Sequence, residues 1–256
     1  MANRRETNQQ LASRAVQLVF LLGLFALWYC ATNFWGVNHL LLPNPVAVYH
    51  QLIDVLQGGE YLPDLRVTAT EFAVAVVLAT TTGTIVGFFV SLSRYSVRVF
   101  EPLFAGIYSI PIILFLPLYV LFFGLGPASK IGLGTTIAFF PIVLSTIAGF
   151  SNVDRTLVTA ARSMGASNYQ LFRYVLVPAA LPVILTGFRM GFTVALLSIL
   201  GSETIASLAG LGHHIVQLAE AMEMSRMFAY IVFVVVIATL LNVTVSYFEA
   251  RGRRAG

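Results

Sequence analysis

The chain has 256 residues, 58% of them hydrophobic and only 10% charged. A soluble domain carries roughly 25% charged residues, so the composition excludes an ordinary water-soluble enzyme and predicts an all-α, polytopic membrane protein. The net charge of +4 does not describe a nucleic-acid surface, because the basic residues are scattered at the ends of apolar runs, as topology signals are.

In chain order, residues 1–14 form a basic N-terminal tail with Arg4, Arg5 and Arg14. A single transmembrane domain is expected over 15–256. Its first apolar run, 15–35, is too long for the core of a cleaved signal peptide and lacks a cleavage site, so a retained span is predicted. Trp28, Tyr29 and Trp35 crowd its far end as interfacial aromatics do. Cys30, the sole cysteine, lies in this run and permits no internal disulfide. Asn44 and Pro45 carry N-cap and N1 signals for a short helix with Tyr49, Leu52, Ile53 and Leu56 on one face, ended by Gly58-Gly59. That helix is expected to lie along the outer surface.

Five more spans follow, at about 70–93, 103–123, 131–150, 181–206 and 227–248. Six spans of this length match a hydrocarbon core of ~30 Å. Gly83 and Gly87 give the second span a small-xxx-small face for close helix approach. Pro111 and Pro117 in the third span and Pro141 in the fourth are kink sites. With Ser109, Ser145, Thr146, Ser198 and the intramembrane carboxylate Glu203, Pro111 and Pro141 are the candidate lining of a solute pathway. Glu71 is expected at the interface and Arg189 to snorkel from the fifth span.

Between the fourth and fifth spans lies a polar-punctuated stretch, 152–177. Leu157, Ala160, Ala161 and Met164 fall at i, i+3, i+4, i+7, the stripe of an amphipathic helix. Gly165 stops that helix, and Ser167 with Gln170 forms a capping box for a second one. Leu171, Phe172, Val175 and Leu176 make its apolar face, and Pro178 is expected to end it. The pair is too polar to span a bilayer and has the character of a docking surface.

Charge bias predicts the orientation. With a cytoplasmic N-terminus, Arg4, Arg5, Arg14, Arg94, Arg98, Arg155, Arg162, Arg173, Arg251, Arg253 and Arg254 are inside, against Arg66, Lys130 and Arg226 outside. The 152–177 helix pair and both termini are then cytoplasmic.

The same stretch carries a resemblance. Thr159-Ala160-Ala161, Gly165 and Val177-Pro178 resemble the coupling motif of ABC-importer permeases, the binding-protein-dependent transport inner-membrane components, with Thr159 where that family has Glu. Leu42-Pro43-Asn44-Pro45, Ser129-Lys130-Ile131, Ala161-Arg162-Ser163-Met164-Gly165, Thr186-Gly187-Phe188-Arg189, Glu203 and Gly210-Leu211-Gly212 are similar to the nitrate/sulfonate/taurine subfamily, whose relatives also serve thiamine-precursor pyrimidines. The resemblance implies type I importer architecture in a bacterial inner membrane. It also implies partners: a cytoplasmic ABC ATPase dimer, a second permease (another copy of this chain, or a sister permease in a heterodimer) and an extracytoplasmic binding protein. Thr159, Ala160, Ala161, Arg162, Gly165, Ala166, Ser167, Leu171 and Phe172 would contact the ATPase.

No catalytic constellation is present. Without a Gly-rich loop ending in Lys-Ser/Thr, this chain is expected to need no cofactor, with ATP and Mg on the partner ATPase. Adjacent His213 and His214 lack a third ligand at metal-site spacing. An ion-coupled secondary transporter is the alternative class, but Glu203 and Arg189 are thin support and no internal repeat is evident.

Overall fold

A computed structural model describes the backbone of residues 2–38 and 41–255 and the side chains of 15–17, 19–20, 22–38, 41–247 and 249–251. The side chains of Arg4, Arg5, Arg14, Arg253 and Arg254, used in the charge count, lie outside the described residues. The described chain is helical: α1 (Ala2–Asn33), α2 (Pro45–Gly58), α3 (Leu62–Ser91), α4 (Arg94–Tyr108), α5 (Leu116–Phe123), α6 (Pro127–Ser151), α7 (Arg155–Ser163), α8 (Asn168–Leu171), α9 (Val177–Ile205), α10 (Leu211–Glu220) and α11 (Met224–Ala255). Among the described residues, five helices are long and apolar enough to cross a membrane, and six crossings result when α4 and α5 count as one broken span.

The chain divides into two compact units, residues 1–60 with 215–233 and residues 61–214 with 234–256. In the first, the Trp28 indole donates to Pro43 O at 3.1 Å and its ring lies 6.2 Å from Phe228. Arg226 pairs with Glu60. The start of α2 is as its sequence predicts: Asn44 Oδ1 accepts from Val46 N–H at 2.8 Å, and Gly59 closes the helix at φ +68°. The face it buries is Pro45, Val48 and Val55, leaving Tyr49 and Leu56 exposed.

The second unit is built around α6. Glycines let its neighbours approach to backbone contact: a Cβ on Gly83 or Gly87 of α3 would lie 2.9 Å from Ile142 or 2.6 Å from Thr146. Gly187 and Gly191 of α9 approach Ser145 and Ile142 in the same way. Apolar burial drives little helix association inside lipid, where close van der Waals packing of small residues takes over. Between the three helices sits a core of Phe72, Ala75, Ala79, Ala138, Ile142, Phe192, Ala195, Leu196 and Ile199, with Phe72 and Phe192 edge to face at 4.7 Å.

Two expectations are corrected. The third span is not one helix over 103–123: α4 starts at Arg94, with Ser93 as N-cap, and stops at Tyr108. Pro111 biases Ile110 away from helical geometry, and a 3-10 turn, Ile112–Phe115, leads into α5 at a 73° bend. Nor does Pro178 end the helix that starts after Ser167. The chain stays helical from Asn168 to Ile205, through a π turn over Phe172–Leu176. There Val177 N–H reaches back to Phe172 O. Widening the turn moves the carbonyl a proline ring would strike, so Pro178 is accommodated in the first turn of α9.

Candidate functional site

The polar loop between α6 and α9 is assembled by local rules. Asp154 caps α7 by accepting the Thr156 N–H at 2.8 Å, and that bond holds its carboxyl below the usual aspartate range. At the other end Gly165 takes φ +80°. Its N–H bonds Arg162 O at 2.9 Å and the Ala166 N–H bonds Ala161 O at 3.0 Å, the paired bonds of a Schellman motif. Ser167 and Gln170 then form both bonds of the capping box. Arg162 reaches across the turn to Asn168 Oδ1 at 3.3 Å.

The two expected apolar faces are split by this geometry. Ala161 and Leu171 are buried, and Phe172 stacks on Phe150 at 6.3 Å and meets Phe88 at 5.3 Å. These three hold the loop to its own chain. Thr159, Ala160, Arg162, Gly165 and Ser167 are exposed, as are Leu157 and Met164, the latter 82% exposed; Ala166 is half-buried. Tyr169 and Tyr174 add two exposed aromatics that sequence reasoning passed over. Two tyrosines in an otherwise polar loop were the available signal, since aromatics are enriched at interfaces. Ala161, Met164, Gly165, Ala166, Gln170, Tyr174 and Val175 line a shallow cavity of about 340 Å³.

The seven pathway candidates do not come together. Ser109 and Pro111 are exposed at the α4–α5 break, where Ser109 Oγ donates to Gly106 O at 2.7 Å. Pro141, Thr146, Ser198 and Glu203 are buried within the subunit, and Ser145 is half-buried against Gly187. Thr146 spends its hydroxyl on Ile142 O at 2.7 Å, within its own helix. Beside the break, Ile107, Ile110, Phe115, Tyr119, Phe122 and Phe140 are among the residues lining an apolar cavity of about 530 Å³. The Tyr119 and Thr136 hydroxyls, 2.6 Å apart, are its polar pair.

Glu203 belongs to a buried polar cluster. Thr68 donates to its Oε1 at 2.7 Å and the Gly212 N–H to its Oε2 at 2.8 Å. Leu211 N–H bonds Thr68 Oγ1 at 2.9 Å, and Gly210 N–H bonds Asp64 at 2.9 Å. His214 faces the same Asp64 at 3.5 Å. Glu71 and Lys130 lie close enough to interact with Glu203. Lys130 donates to Leu125 O and Gly126 O. Glu71 is therefore not interfacial and Lys130 is not an outer surface charge: both are at most 1% exposed. The Thr68 hydroxyl that makes the burial of Glu203 tolerable comes from a distant part of the chain, whereas the carbonyls on Lys130 lie four and five residues back.

Arg189 does not simply snorkel. Its Nη1 pairs with Glu249 Oε2 at 3.1 Å, and Thr186 donates to Glu249 Oε1 at 3.2 Å. Thr193 and Asn242 add a third α9–α11 bond at 2.7 Å. Glu249 was not singled out in the sequence, because its partner lies 60 residues away.

Fold and loop together define a polytopic membrane protein with an exposed helix–Gly–helix element continuous with a membrane span. The family model for the binding-protein-dependent transport system inner membrane component matches residues 79–254, and the chain belongs to that family. It is 30% identical to the taurine transport system permease protein TauC of Escherichia coli, over 89% of this chain and 85% of that one. It is 27% identical to the putative aliphatic sulfonates transport permease protein SsuC of Bacillus subtilis, over 89% and 83%. In fold it is similar to a chain of the MetNI methionine ABC transporter, with TM-score 0.61 and 20% identity over 74% of this chain and 94% of that chain. An amino acid ABC transporter chain is similar at TM-score 0.62 and 20% identity, over 80% and 98%. The chain is the permease subunit of an ABC importer, a multi-pass inner-membrane protein.

Proposed function

We propose that this permease passes a taurine-like or other small sulfonate, released by an extracytoplasmic binding protein, into the cytoplasm, driven by a separate ATPase dimer that holds the ATP and Mg. The observation that carries the coupling is the α7–Gly165–α8 element. It is exposed along Leu157, Met164, Tyr169 and Tyr174, and joined without a break to α9. Thr159, Ala160, Arg162, Gly165 and Ser167 then lie toward the ATPase, while Ala161, Leu171 and Phe172 support them from behind. Both termini and this loop are cytoplasmic on this reading, as the arginine bias favours.

The α4–α5 break supports pairing with a second permease. Non-helical backbone at membrane depth is tolerated where protein or water covers it, not where lipid does. Ser109, Ile110 and Pro111 are exposed in the single chain, so a second copy and the route between the copies would cover them. A native mass showing one permease per two ATPases would overturn the pairing.

Substrate choice rests with the binding protein on this reading. Titrating that protein with taurine, alkanesulfonates and formylaminopyrimidine separates the readings. Binding of a sulfonate supports this one. Binding of the pyrimidine alone would favour the reading suggested by 28% identity to the formylaminopyrimidine transport permease protein ThiX of Halalkalibacterium halodurans.

A further inference from the structure

Two cavities meet at Glu249 in the groove between α9 and α11. The larger, about 400 Å³, is apolar: Leu185, Phe188 and Phe192 of α9 line it with Leu241, Thr244 and Val245 of α11, and Glu249 stands at its end. The smaller, about 160 Å³, is polar and lined by Arg189, Ser246, Glu249 and Ala250. Arg189 and Thr244 are exposed and most of the apolar wall is half-buried, so the groove lies at the surface of the chain. Packed protein interiors leave few voids larger than a water molecule, and the larger cavity is far above that size. The donors around it are unequally committed. Thr244 Oγ1 donates to Leu240 O and Ser246 Oγ to Asn242 O, each at 2.7 Å within α11. Arg189 places only Nη1 on Glu249, and its side chain is 49% exposed. Its other guanidinium N–H groups have no partner among the described residues, and such a fork matches the oxygens of a phosphate.

Depth selects the ligand. Glu249 lies one residue past the last expected span, 227–248, so the ion pair stands at the membrane boundary, where lipid phosphates lie. Leu241 and Val245 fall inside that span, at the depth of acyl chains. A free aqueous anion would answer Arg189 and leave the apolar cavity unused, whereas a phosphate joined to an acyl chain fits both parts. Basic pockets between membrane helices hold lipid headgroups in this way. We infer that the α9–α11 groove is a glycerophospholipid site, in which Arg189 holds the phosphate and the larger cavity takes one acyl chain. The inference takes from the proposed function only the orientation, which makes this the cytoplasmic leaflet.

The test uses the purified permease–ATPase complex, stripped of co-purified lipid in detergent and followed by native mass spectrometry. The additions are dioleoylphosphatidylglycerol, dioleoylglycerol and inorganic phosphate. The phospholipid should be retained at one per permease, about tenfold or more tighter than dioleoylglycerol, which has the same chains and no phosphate. Excess inorganic phosphate should not displace it. Val245→Phe fills the apolar cavity and leaves the Arg189–Glu249 pair in place, and should weaken retention about tenfold or more. Arg189→Leu combined with Glu249→Leu removes both charges together and should do the same. Equal retention of the two lipids by the parent would overturn the inference without recourse to any variant. So would the absence of bound phospholipid from the assembled transporter, because a second copy or another partner would then cover the groove. Undiminished retention in Val245→Phe would overturn it as well, and displacement by inorganic phosphate would reduce the site to one for a free anion. Failure on any of these counts leaves the importer assignment standing, whereas uptake that needs no ATPase would tell against that assignment and not against the lipid site.

Discussion

Gly187 of α9 and Ser145 of α6 are in such close contact that a Cβ on the glycine would lie 2.2 Å from the serine Cβ. The Pro141 carbonyl lies 2.9 Å from the same point. α6 is therefore packed closely by two glycine faces, Gly83 and Gly87 on α3 and Gly187 and Gly191 on α9.

Gly187→Ala should destabilise the bundle by about 1–3 kcal/mol, the usual cost of overpacking. Ser145→Gly in the same chain should recover part of it, because it removes the atom that is struck. Thermal unfolding in detergent checks both. Equal stability of Gly187→Ala and the parent would show that α6 and α9 part more easily than this packing implies.

Gly165 is a different kind of glycine. Nothing lies within 4 Å of where its Cβ would be, so its identity answers to backbone conformation at φ +80° and not to space. Gly165→Val should cost roughly 1–2 kcal/mol locally, with near-normal membrane insertion but reduced ATPase association. Gly165→Asn, which tolerates the left-handed region, should retain most of it. Co-purification of the ATPase with each variant reads this out.

These two glycines show what the sequence discloses and what it does not. Gly165, the Ser167–Gln170 capping box and the Asn44 cap act within a few residues, and their spacing is enough to read them. The Gly83–Gly87 face was legible as a pattern, though not its partner α6. The equivalent Gly187–Gly191 face is less legible, because the charged Arg189 stands between the two glycines. The burial of Glu71 and Lys130 was out of reach, because each charge read alone belongs at a membrane surface. Pro178 misled for a related reason, since a proline signals a stop only where no wider turn precedes it.

The Arg189–Glu249 pair is asymmetric, with the arginine side chain 49% exposed and the glutamate 5%. Arg189→Leu leaves the buried Glu249 carboxylate without its cation and should cost about 1–3 kcal/mol. Glu249→Leu leaves a cation that can reach water or headgroups and should cost less. The double variant should be closer to the parent than Arg189→Leu is. A thermal-stability cycle of the four proteins measures the difference, and strict additivity would remove the pair from the account.

Asp154 gives α7 a pH dependence of known sign. Its carboxylate is favoured in the folded loop by the Thr156 N–H, so the cap's contribution is present above the ordinary aspartate range. It is lost as the pH falls through the lower, folded-state value. Exchange of the Thr156 amide should accelerate on acidification in the parent, beyond the intrinsic pH effect. In Asp154→Asn, whose side chain accepts the same bond without titrating, that extra acceleration should vanish.

Substrate uptake into proteoliposomes tests the central assignment most directly. With the permease, its ATPase and the loaded binding protein present, accumulation of a sulfonate should require all three together with ATP and Mg, and should stop when the ATPase is omitted. Accumulation by the permease alone, driven by an ion gradient without ATPase or binding protein, would contradict it.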